Sequence, residues 1–218
     1  MATIGIIGAG EMGSQLARAA VRHGHRVVIA NSRGPHTLQP LIEALGSRAS
    51  AATASDAADA GDFVIISVPL KLDNDMPAEQ LAGKIVLDTN NHMPWRDGVF
   101  ASVISGRQTV HELRQLHLPT SRVAKAFTHI QAPRLFELAR PAGTPGRHAL
   151  SVSSDHPDAV ELVTRVHDEF GFDTVDSSPL SESWRTEPGQ PAWNAHLHQT
   201  REELAANLRR ARRIVRPL

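Results

Sequence analysis

The stretch TIGIIGAGEMGSQLARAAVRHGHRVVIANSR, residues 3–33, predicts the fold of the chain. Its first five residues carry no charge and are mostly β-branched, which is typical of a buried parallel strand. A glycine-rich turn and a helical stretch, Ser14 to His23, come next, and a second apolar run covers Arg26 to Ala30. This strand–helix–strand order predicts an α/β fold with a doubly wound, mostly parallel sheet of the Rossmann type.

The turn Gly8-Ala9-Gly10-Glu11-Met12-Gly13 predicts a dinucleotide site. Gly8 suits a tight turn, Gly10 lets the backbone approach a pyrophosphate, and Gly13 lets the helix pack closely on the strand. The free amides and the positive dipole end of the helix would hold the phosphates. An ordinary strand-to-helix turn is the alternative, but the motif lies directly after a strand and opens a helix, as dinucleotide binding requires.

The residues Asn31-Ser32-Arg33 at the end of the second strand indicate NADP(H) as the dinucleotide. An NAD site usually places Asp or Glu here for the ribose 2′-hydroxyl, and this chain has no acid until Glu43. Arg33 offers a planar set of donors to a 2′-phosphate, and Ser32 offers a hydroxyl. A solvated loop arginine is the alternative interpretation of Arg33.

Length and composition limit the class of protein. The chain has 218 residues, 23 Lys and Arg, 23 Asp and Glu, and no cysteine. A balanced charge does not favour nucleic acid or a membrane surface as partner, and the lack of cysteine excludes disulfides and thiolate zinc sites. We expect a cytoplasmic protein without a signal peptide. We also expect one domain over residues 1–218, with a core of residues 1–130 and a C-terminal strand–helix extension of residues 131–218.

The loops after the later strands of the core should surround the nicotinamide and its reaction partner, because ligands bind beyond the carboxyl ends of parallel strands. Apolar residues after the fourth strand could back the nicotinamide, together with the serine before them. These are Ser67, Val68, Pro69 and Leu70. The candidates for binding a substrate after the fifth and sixth strands are Asn90, Asn91, Lys125, Phe127, Thr128, His129 and Ile130.

Two of these residues have competing interpretations. His129 is the one catalytic candidate, since a histidine facing the crevice could donate to a developing anion or relay a proton. A structural hydrogen bond to a loop is the alternative. Lys125 could meet a phosphate or carboxylate of the substrate, or it could pair with Asp88.

The twelve histidines do not predict a metal site. Gln115 stands where an HExxH motif beginning at His111 would need its second ligand, and His196 and His198 lie two apart on a predicted helix, where side chains point different ways.

The last third of the chain continues the α/β pattern. We predict a strand over His148 to Ser153, a helix from Asp155, its cap, to Phe170, and a strand over Phe172 to Val175. A final helix, about Ala195 to Val215, carries an apolar stripe that must pack on the sheet or on a second subunit. The stripe consists of Leu197, Leu204, Leu208, Ala211 and Val215.

With its loops placed, the chain resembles the NADP oxidoreductases that depend on the 8-hydroxy-5-deazaflavin coenzyme, factor 420. The resemblance covers nearly the whole length. Besides the glycine turn and Asn31-Ser32-Arg33, it rests on residues 67–69, 87–91, 123–127 and 179–184. It implies that the backbone from Ala9 to Met12 holds the pyrophosphate and that Ser32 and Arg33 hold the 2′-phosphate.

The resemblance further implies direct hydride transfer between the nicotinamide and a deazaflavin ring, a homodimer, and no obvious acid–base residue. NADP(H) is the better supported of the two cofactors, and the hydride acceptor stays open. A flavin, a quinone or an imine could replace the deazaflavin, with His129 then acting as donor or proton source. A non-catalytic NADP-binding sensor is a further alternative.

Overall fold

The computed structural model describes residues 1–70, 76–193, 197–213 and 215. Eight strands of the described chain form one sheet in the order β3-β2-β1-β4-β5-β6-β7-β8. Their bounds are β1 Thr3–Ile7, β2 Arg26–Ala30, β3 Ala49–Ala51, β4 Phe63–Ile66, β5 Ile85–Asp88, β6 Arg122–Lys125, β7 Ala149–Ser154 and β8 Asp173–Asp176.

All neighbouring strands run parallel except β6 and β7, which pair antiparallel at Ala124 and Ser154. The order reverses at β1, where β2 lies on one side and β4 on the other, as in a doubly wound sheet. The predicted α/β fold with a mostly parallel Rossmann sheet is therefore confirmed.

Strand register brings the functional end of the sheet together. Ile7 at the end of β1 pairs with Ala30 at the end of β2 and with Ile66 at the end of β4. Ile66 pairs with Asp88, and Asp88 pairs with Lys125. Five strands therefore end side by side, and the loops that follow them emerge along one edge.

Helices cover both faces of the sheet. Their bounds are α1 Glu11–Arg22, α2 Gln39–Leu45, α3 Ala54–Ala60, α4 Ala78–Leu81, α5 Pro94–Asp97, α6 Ala101–Ile104, α7 Val110–His117, α8 Arg134–Leu138, α9 Pro157–Phe170 and α10 Arg201–Arg210, with 3₁₀ turns at Pro35–Leu38 and Leu180–Thr186. Because helices lie on both faces, β1 and β4 are buried almost throughout, as their uninterrupted apolar sequences require. None of the described helices is long and apolar enough to cross a membrane.

Two predicted helix starts in the last third of the chain differ from the structure, and α1 begins at Glu11, three residues before the predicted Ser14. The capping residue of α9 is His156, and Asp155 instead accepts a hydrogen bond from the Leu180 amide at 2.9 Å, which ties the turn before α9 to the 3₁₀ segment. The final helix is shorter than predicted, because Thr200 and Glu203 form a capping box that starts α10 at Arg201. The predicted start at Ala195, with His196, lies outside the described residues.

The apolar stripe of α10 packs on the sheet, which is one of the two predicted alternatives. Leu204 and Leu208 are buried in a cluster with Ala149 of β7 and with Ala192. Leu197 and Val215, which were expected on the same stripe, lie outside α10 and are about 60% exposed. The two strands of the predicted extension, β7 and β8, belong to the same sheet as the core strands. The one-domain assignment stays a prediction.

Candidate functional site

The glycine turn between β1 and α1 is built by close backbone approaches. Gly8 has φ +112°, and a β-carbon there would lie 2.2 Å from the carbonyl oxygen of Ser67. A β-carbon on Gly13 would lie 1.9 Å from the carbonyl oxygen of Gly8. The first glycine therefore makes the turn against the end of β4, and the third lets α1 approach β1.

Gly10 differs from both of its neighbours in the motif. It precedes α1 as the capping residue with an extended backbone, φ −75°, and a β-carbon on it would meet no atom within 4 Å. No side chain of the described residues caps α1 at this position. The amides that begin the helix are therefore open to an anion, and the space a side chain would fill suits a pyrophosphate.

The loop after β2 is ordered by its own hydrogen bonds. Asn31 accepts from the Arg33 amide at 3.0 Å through its side-chain oxygen and donates to the Thr37 hydroxyl at 2.9 Å. Thr37 in turn donates to the Gly34 carbonyl at 2.8 Å. Because the amide of Asn31 is used inside the loop, the exposed side chains of Ser32 and Arg33 are the groups offered to a ligand.

A cavity of about 400 Å³ lies beyond the carboxyl ends of β1, β4, β5 and β6. It brings together eleven of the predicted residues, which are Gly10, Glu11, Met12, Ser67, Val68, Pro69, Asn90, Asn91, Phe127, Thr128 and Ile130. The cavity is thus continuous with the glycine turn. A larger hollow of about 550 Å³, at the far end of α1, contains none of these residues.

Sequence reasoning missed five further residues of the cavity wall, namely Thr89, Met93, Arg96, Gln131 and Trp193. Thr89 and Gln131 adjoin predicted residues and could have been found by extending those loops by one position. Trp193 is more than sixty positions away from every other residue of the wall. Only the packing of the C-terminal segment brings it to this cavity.

Phe127 has an unusual backbone for a bulky residue. Its φ is +55°, in the left-handed region, which costs energy for a side chain of this size. The residue is 1% exposed, and its ring packs edge-on against the His167 ring with 4.7 Å between centroids. The core packing of this ring offsets the backbone strain at the start of the loop that carries Thr128.

Leu70 does not back the nicotinamide, contrary to expectation. Its side chain is fully buried, is absent from the cavity wall, and packs with Phe100 and Val110 in a small apolar cluster. Val68 and Pro69 remain as the apolar residues of the wall after β4.

The expectation that His129 faces the crevice is wrong. The residue is 1% exposed and absent from the cavity wall, and its Nε2 accepts a hydrogen bond from the Ser151 amide of β7 at 2.9 Å. Since an amide can only donate, the ring proton resides on Nδ1. Burial, together with the positive charge of Lys125, lowers the pKa of His129 well below its ordinary value. The side chain is a neutral core group.

Lys125 is likewise turned away from the cavity. It is fully buried, and its Nζ donates to the carbonyl of Ser183 in the 3₁₀ segment. Burial lowers the pKa of Lys125 to about 8, although the carboxylates of Glu187 and Asp88 oppose this shift. Lys125 therefore ties the C-terminal segment to β6.

Asp88 has a different partner from the predicted one. Its carboxylate accepts from Nε of Arg114 at 3.2 Å, and both side chains are buried. The same carboxylate accepts from the backbone amide of Asn90 at 3.1 Å and from its side-chain amide. The buried pair of Asp88 and Arg114 therefore fixes the side chain of Asn90, which lies in the cavity wall.

Comparison with known proteins gives a family model that matches part of the chain. Residues 3–92 match the family model described as "NADP oxidoreductase coenzyme F420-dependent". The resemblance inferred from the sequence is confirmed over these residues. The matched segment contains the glycine turn, Asn31-Ser32-Arg33 and the loops after β4 and β5, whereas the loop after β6 and the C-terminal segment lie beyond it.

Solved structures extend the likeness along the chain. The hypothetical protein SMa0349 from Sinorhizobium meliloti is 29% identical with a TM-score of 0.73, and the match covers 92% of this chain and 96% of that one. A candidate F420-dependent NADP reductase from Arthrobacter sp. FB24 is 23% identical with a TM-score of 0.69, covering 84% of this chain and 87% of that one. The second likeness shows a shared fold.

A curated relative matches over a shorter segment. The protein YjhV of Escherichia coli (strain K12) is 42% identical over 53 residues, and the chain spans only 39% of its length. That segment is 24% of the present chain.

Proposed function

We propose that the protein is an NADP(H)-dependent oxidoreductase that transfers hydride between the nicotinamide and a planar acceptor bound in the same cavity. The observation that carries this proposal is the continuity of the glycine turn with the cavity beyond β4, β5 and β6. One end can hold a pyrophosphate, and the other has room for the reacting ring and a second ligand.

The chain's own residues have separable roles in this proposal. The amides at the start of α1 bind the pyrophosphate, and Ser32 and Arg33 bind the 2′-phosphate. Val68 and Pro69 form an apolar wall for the nicotinamide. NADPH, when bound, supplies the hydride, and the protein contributes proximity and exclusion of water.

We propose the 8-hydroxy-5-deazaflavin coenzyme as the acceptor. Two findings support it: the family model matched by residues 3–92, and the fold shared with the candidate F420-dependent reductase from Arthrobacter. The burial of His129 also supports it, because direct hydride transfer between two rings needs no side-chain acid or base. The proton that completes the reduced acceptor then comes from solvent. A homodimer in the cytoplasm, without nucleic-acid or membrane partners, is proposed on the resemblance and the balanced charge.

Purified protein tests the proposal through NADPH oxidation at 340 nm. We expect turnover with the deazaflavin coenzyme and much slower or no turnover with FMN, menadione or a cyclic imine. NADPH binding, measured by quenching of tryptophan fluorescence, is determined in parallel. Tight NADPH binding without turnover by any acceptor would contradict the proposed enzyme activity and support a non-catalytic sensor. Turnover with one of the other acceptors but not with the deazaflavin would identify that compound as the acceptor instead.

A further inference from the structure

Arg96 is the only arginine or lysine among the described residues of the cavity wall. It belongs to α5, the short helix in the loop after β5. Its side chain is 37% exposed, so a ligand can reach it. In the proposed function, neither the phosphates of the dinucleotide nor the apolar wall for the nicotinamide uses this side chain.

A buried carboxylate holds the guanidinium of Arg96 in place. Nε donates to Oδ1 of Asp97 at 2.6 Å, and Nη2 donates to Oδ2 at 2.8 Å. The side chain of Asp97 is fully buried and also accepts from the Met93 amide at 2.9 Å. Burial alone would raise the pKa of Asp97, but the hydrogen bonds from Arg96 and Met93 lower it below its ordinary value. The two side chains therefore form an ionised pair with two hydrogen bonds.

The remaining donors of this guanidinium lie at the cavity wall. Nη2 uses its second N–H for the backbone carbonyl of Asn91, a residue of that wall, at 2.8 Å. In a planar guanidinium, this N–H and one N–H of Nη1 lie side by side on the same edge. Nη1 therefore lies beside the Asn91 carbonyl. No group in the described part of the chain accepts a hydrogen bond from Nη1.

The order of the strands places Arg96 on the side of the second ligand. Ser32 and Arg33 follow β2, the glycine turn follows β1, and Val68 and Pro69 follow β4. The next strand in the sheet is β5, and Arg96 lies in the loop after it. In this order the guanidinium comes after the wall for the nicotinamide, where an acceptor ring would bind.

The charge of the pair favours an oxygen that gains charge over a permanent anion. Asp97 already compensates the charge of Arg96, so a phosphate or carboxylate gains less here than it would from an unpaired arginine. A neutral carbonyl oxygen can accept from Nη1, and this hydrogen bond becomes stronger as negative charge develops on the oxygen. Because Asp97 and the Asn91 carbonyl fix the guanidinium, it needs no rearrangement during the reaction.

We propose that Arg96 is a catalytic residue that donates from Nη1 to a ring carbonyl oxygen of the hydride acceptor. This inference rests on the proposed function. The hydride forms a C–H bond at a ring carbon of the acceptor, and the electron pair of the ring double bond moves onto the conjugated carbonyl oxygen beside Arg96. NADPH is oxidised to NADP+, and a proton from solvent completes the reduced acceptor. Arg96 keeps its own proton throughout.

Arg96→Gln tests this role with 8-hydroxy-5-deazariboflavin as the acceptor. We expect kcat for NADPH oxidation to fall about 100-fold, the scale of losing one donor to a developing anion. Calorimetric titration of the acceptor into protein saturated with NADP+, where no hydride can be transferred, should show less than about a tenfold loss of affinity. A larger effect on kcat than on affinity is the result expected for a donor that acts mainly in the transition state.

Two further variants control for charge and for structure. Arg96→Lys keeps a cation that can donate, and it should recover about tenfold of the lost kcat. Arg107→Gln removes an exposed arginine outside the cavity wall, and its kcat should stay within about twofold of wild type. The melting temperature and the Kd for NADP+ are measured for every variant. We expect the Kd for NADP+ to stay within about twofold in all three.

Three results would overturn the inference. The first is an unchanged kcat in Arg96→Gln, and the second is an equal loss of kcat and of acceptor affinity. The third is weaker binding of NADP+ with unchanged kcat, which would assign the guanidinium to the dinucleotide. In each of these cases turnover by the wild type shows that the proposed function stands. If the wild type does not oxidise NADPH with this acceptor, the proposed acceptor and the inference both fail.

Discussion

A β-carbon on Gly13 would lie 1.9 Å from the carbonyl oxygen of Gly8, whereas a β-carbon on Gly10 would meet no atom within 4 Å. Gly13 and Gly8 therefore serve the packing of α1 on the end of β1. No contact within the described chain requires the absence of a side chain at Gly10. One motif thus contains glycines required by the fold and a glycine that we assign to the ligand.

Gly10→Ala should separate binding from stability. The backbone of Gly10 is extended with φ −75°, which alanine also adopts, so the melting temperature should change by no more than about 2 °C. The new methyl group would occupy the space proposed for the pyrophosphate, and NADPH affinity should fall by at least about tenfold, a loss of about 1.4 kcal/mol. Differential scanning fluorimetry and fluorescence titration measure the two quantities.

Gly13→Ala is the matched control. Its methyl group would collide with backbone, which cannot move without shifting α1, so we expect a loss of stability of about 2 kcal/mol or more. Equal effects of the two substitutions on stability and affinity would show that Gly10 is a packing residue and contradict its proposed role.

Arg33→Ala should weaken the binding of NADPH and not that of NADH. Loss of a charged hydrogen bond to the 2′-phosphate corresponds to about 1.5–3 kcal/mol, or roughly 10- to 150-fold in Kd. Since Arg33 is exposed, its removal should leave the fold intact. Arg18→Ala, an exposed arginine on α1, controls for the loss of positive charge. Equal losses of affinity for both nucleotides would remove the assignment of NADP(H).

His129→Ala should lower stability without a selective effect on the nicotinamide site. It creates a cavity in the core and leaves the buried Ser151 amide without its acceptor, at a cost of about 2–4 kcal/mol. Urea unfolding measures this loss, and NADPH affinity at a permissive temperature should stay within about twofold. The exposed His117→Ala is the control, expected within about 0.5 kcal/mol of wild type. A His129→Ala variant that is stable but turns over slowly would indicate that His129 takes part in catalysis.

The buried histidines should make the protein unstable in mild acid. Burial lowers the pKa of His111 and of His167 to about 3, and that of His148 to about 4. In the unfolded chain they titrate near 6.5, so below that pH the unfolded state binds more protons than the folded state. The stability they contribute is present above pH 6.5 and is lost as pH falls towards 4 and 3.

Each of these histidines should lower the free energy of unfolding at pH 5.5 by about 1.4 kcal/mol relative to pH 7.5. The three together should lower it by about 4 kcal/mol. Urea unfolding at the two pH values measures the loss. His111→Leu removes one of the groups that bind a proton on unfolding. The free energy of unfolding of this variant should therefore fall by about 1.4 kcal/mol less than that of the wild type between the two pH values. An unchanged pH dependence in that variant would show that His111 is not neutral in the folded protein.

The dinucleotide half of the site was predictable because its signals are local. A strand, a glycine turn and a helix lie within thirty residues, and Asn31-Ser32-Arg33 follows directly at the end of β2. The ends of β4, β5 and β6 were predictable for the same reason, since uninterrupted apolar runs indicate buried parallel strands. Parallel pairing then places the loops that follow them along one edge.

The direction in which each side chain points depends on long-range packing and could not be predicted from the sequence. His129 and Thr128 are adjacent in the sequence, yet the ring of His129 reaches β7, while Thr128 lies in the cavity wall. Lys125 points to a carbonyl in a segment 58 positions later, and Trp193 reaches the cavity from the C-terminal third. Local patterns along the chain are enough to predict a Rossmann sheet with a dinucleotide turn, because the residues that form these features are neighbours in the sequence. The second half of the site depends on contacts between distant segments, which no local pattern specifies.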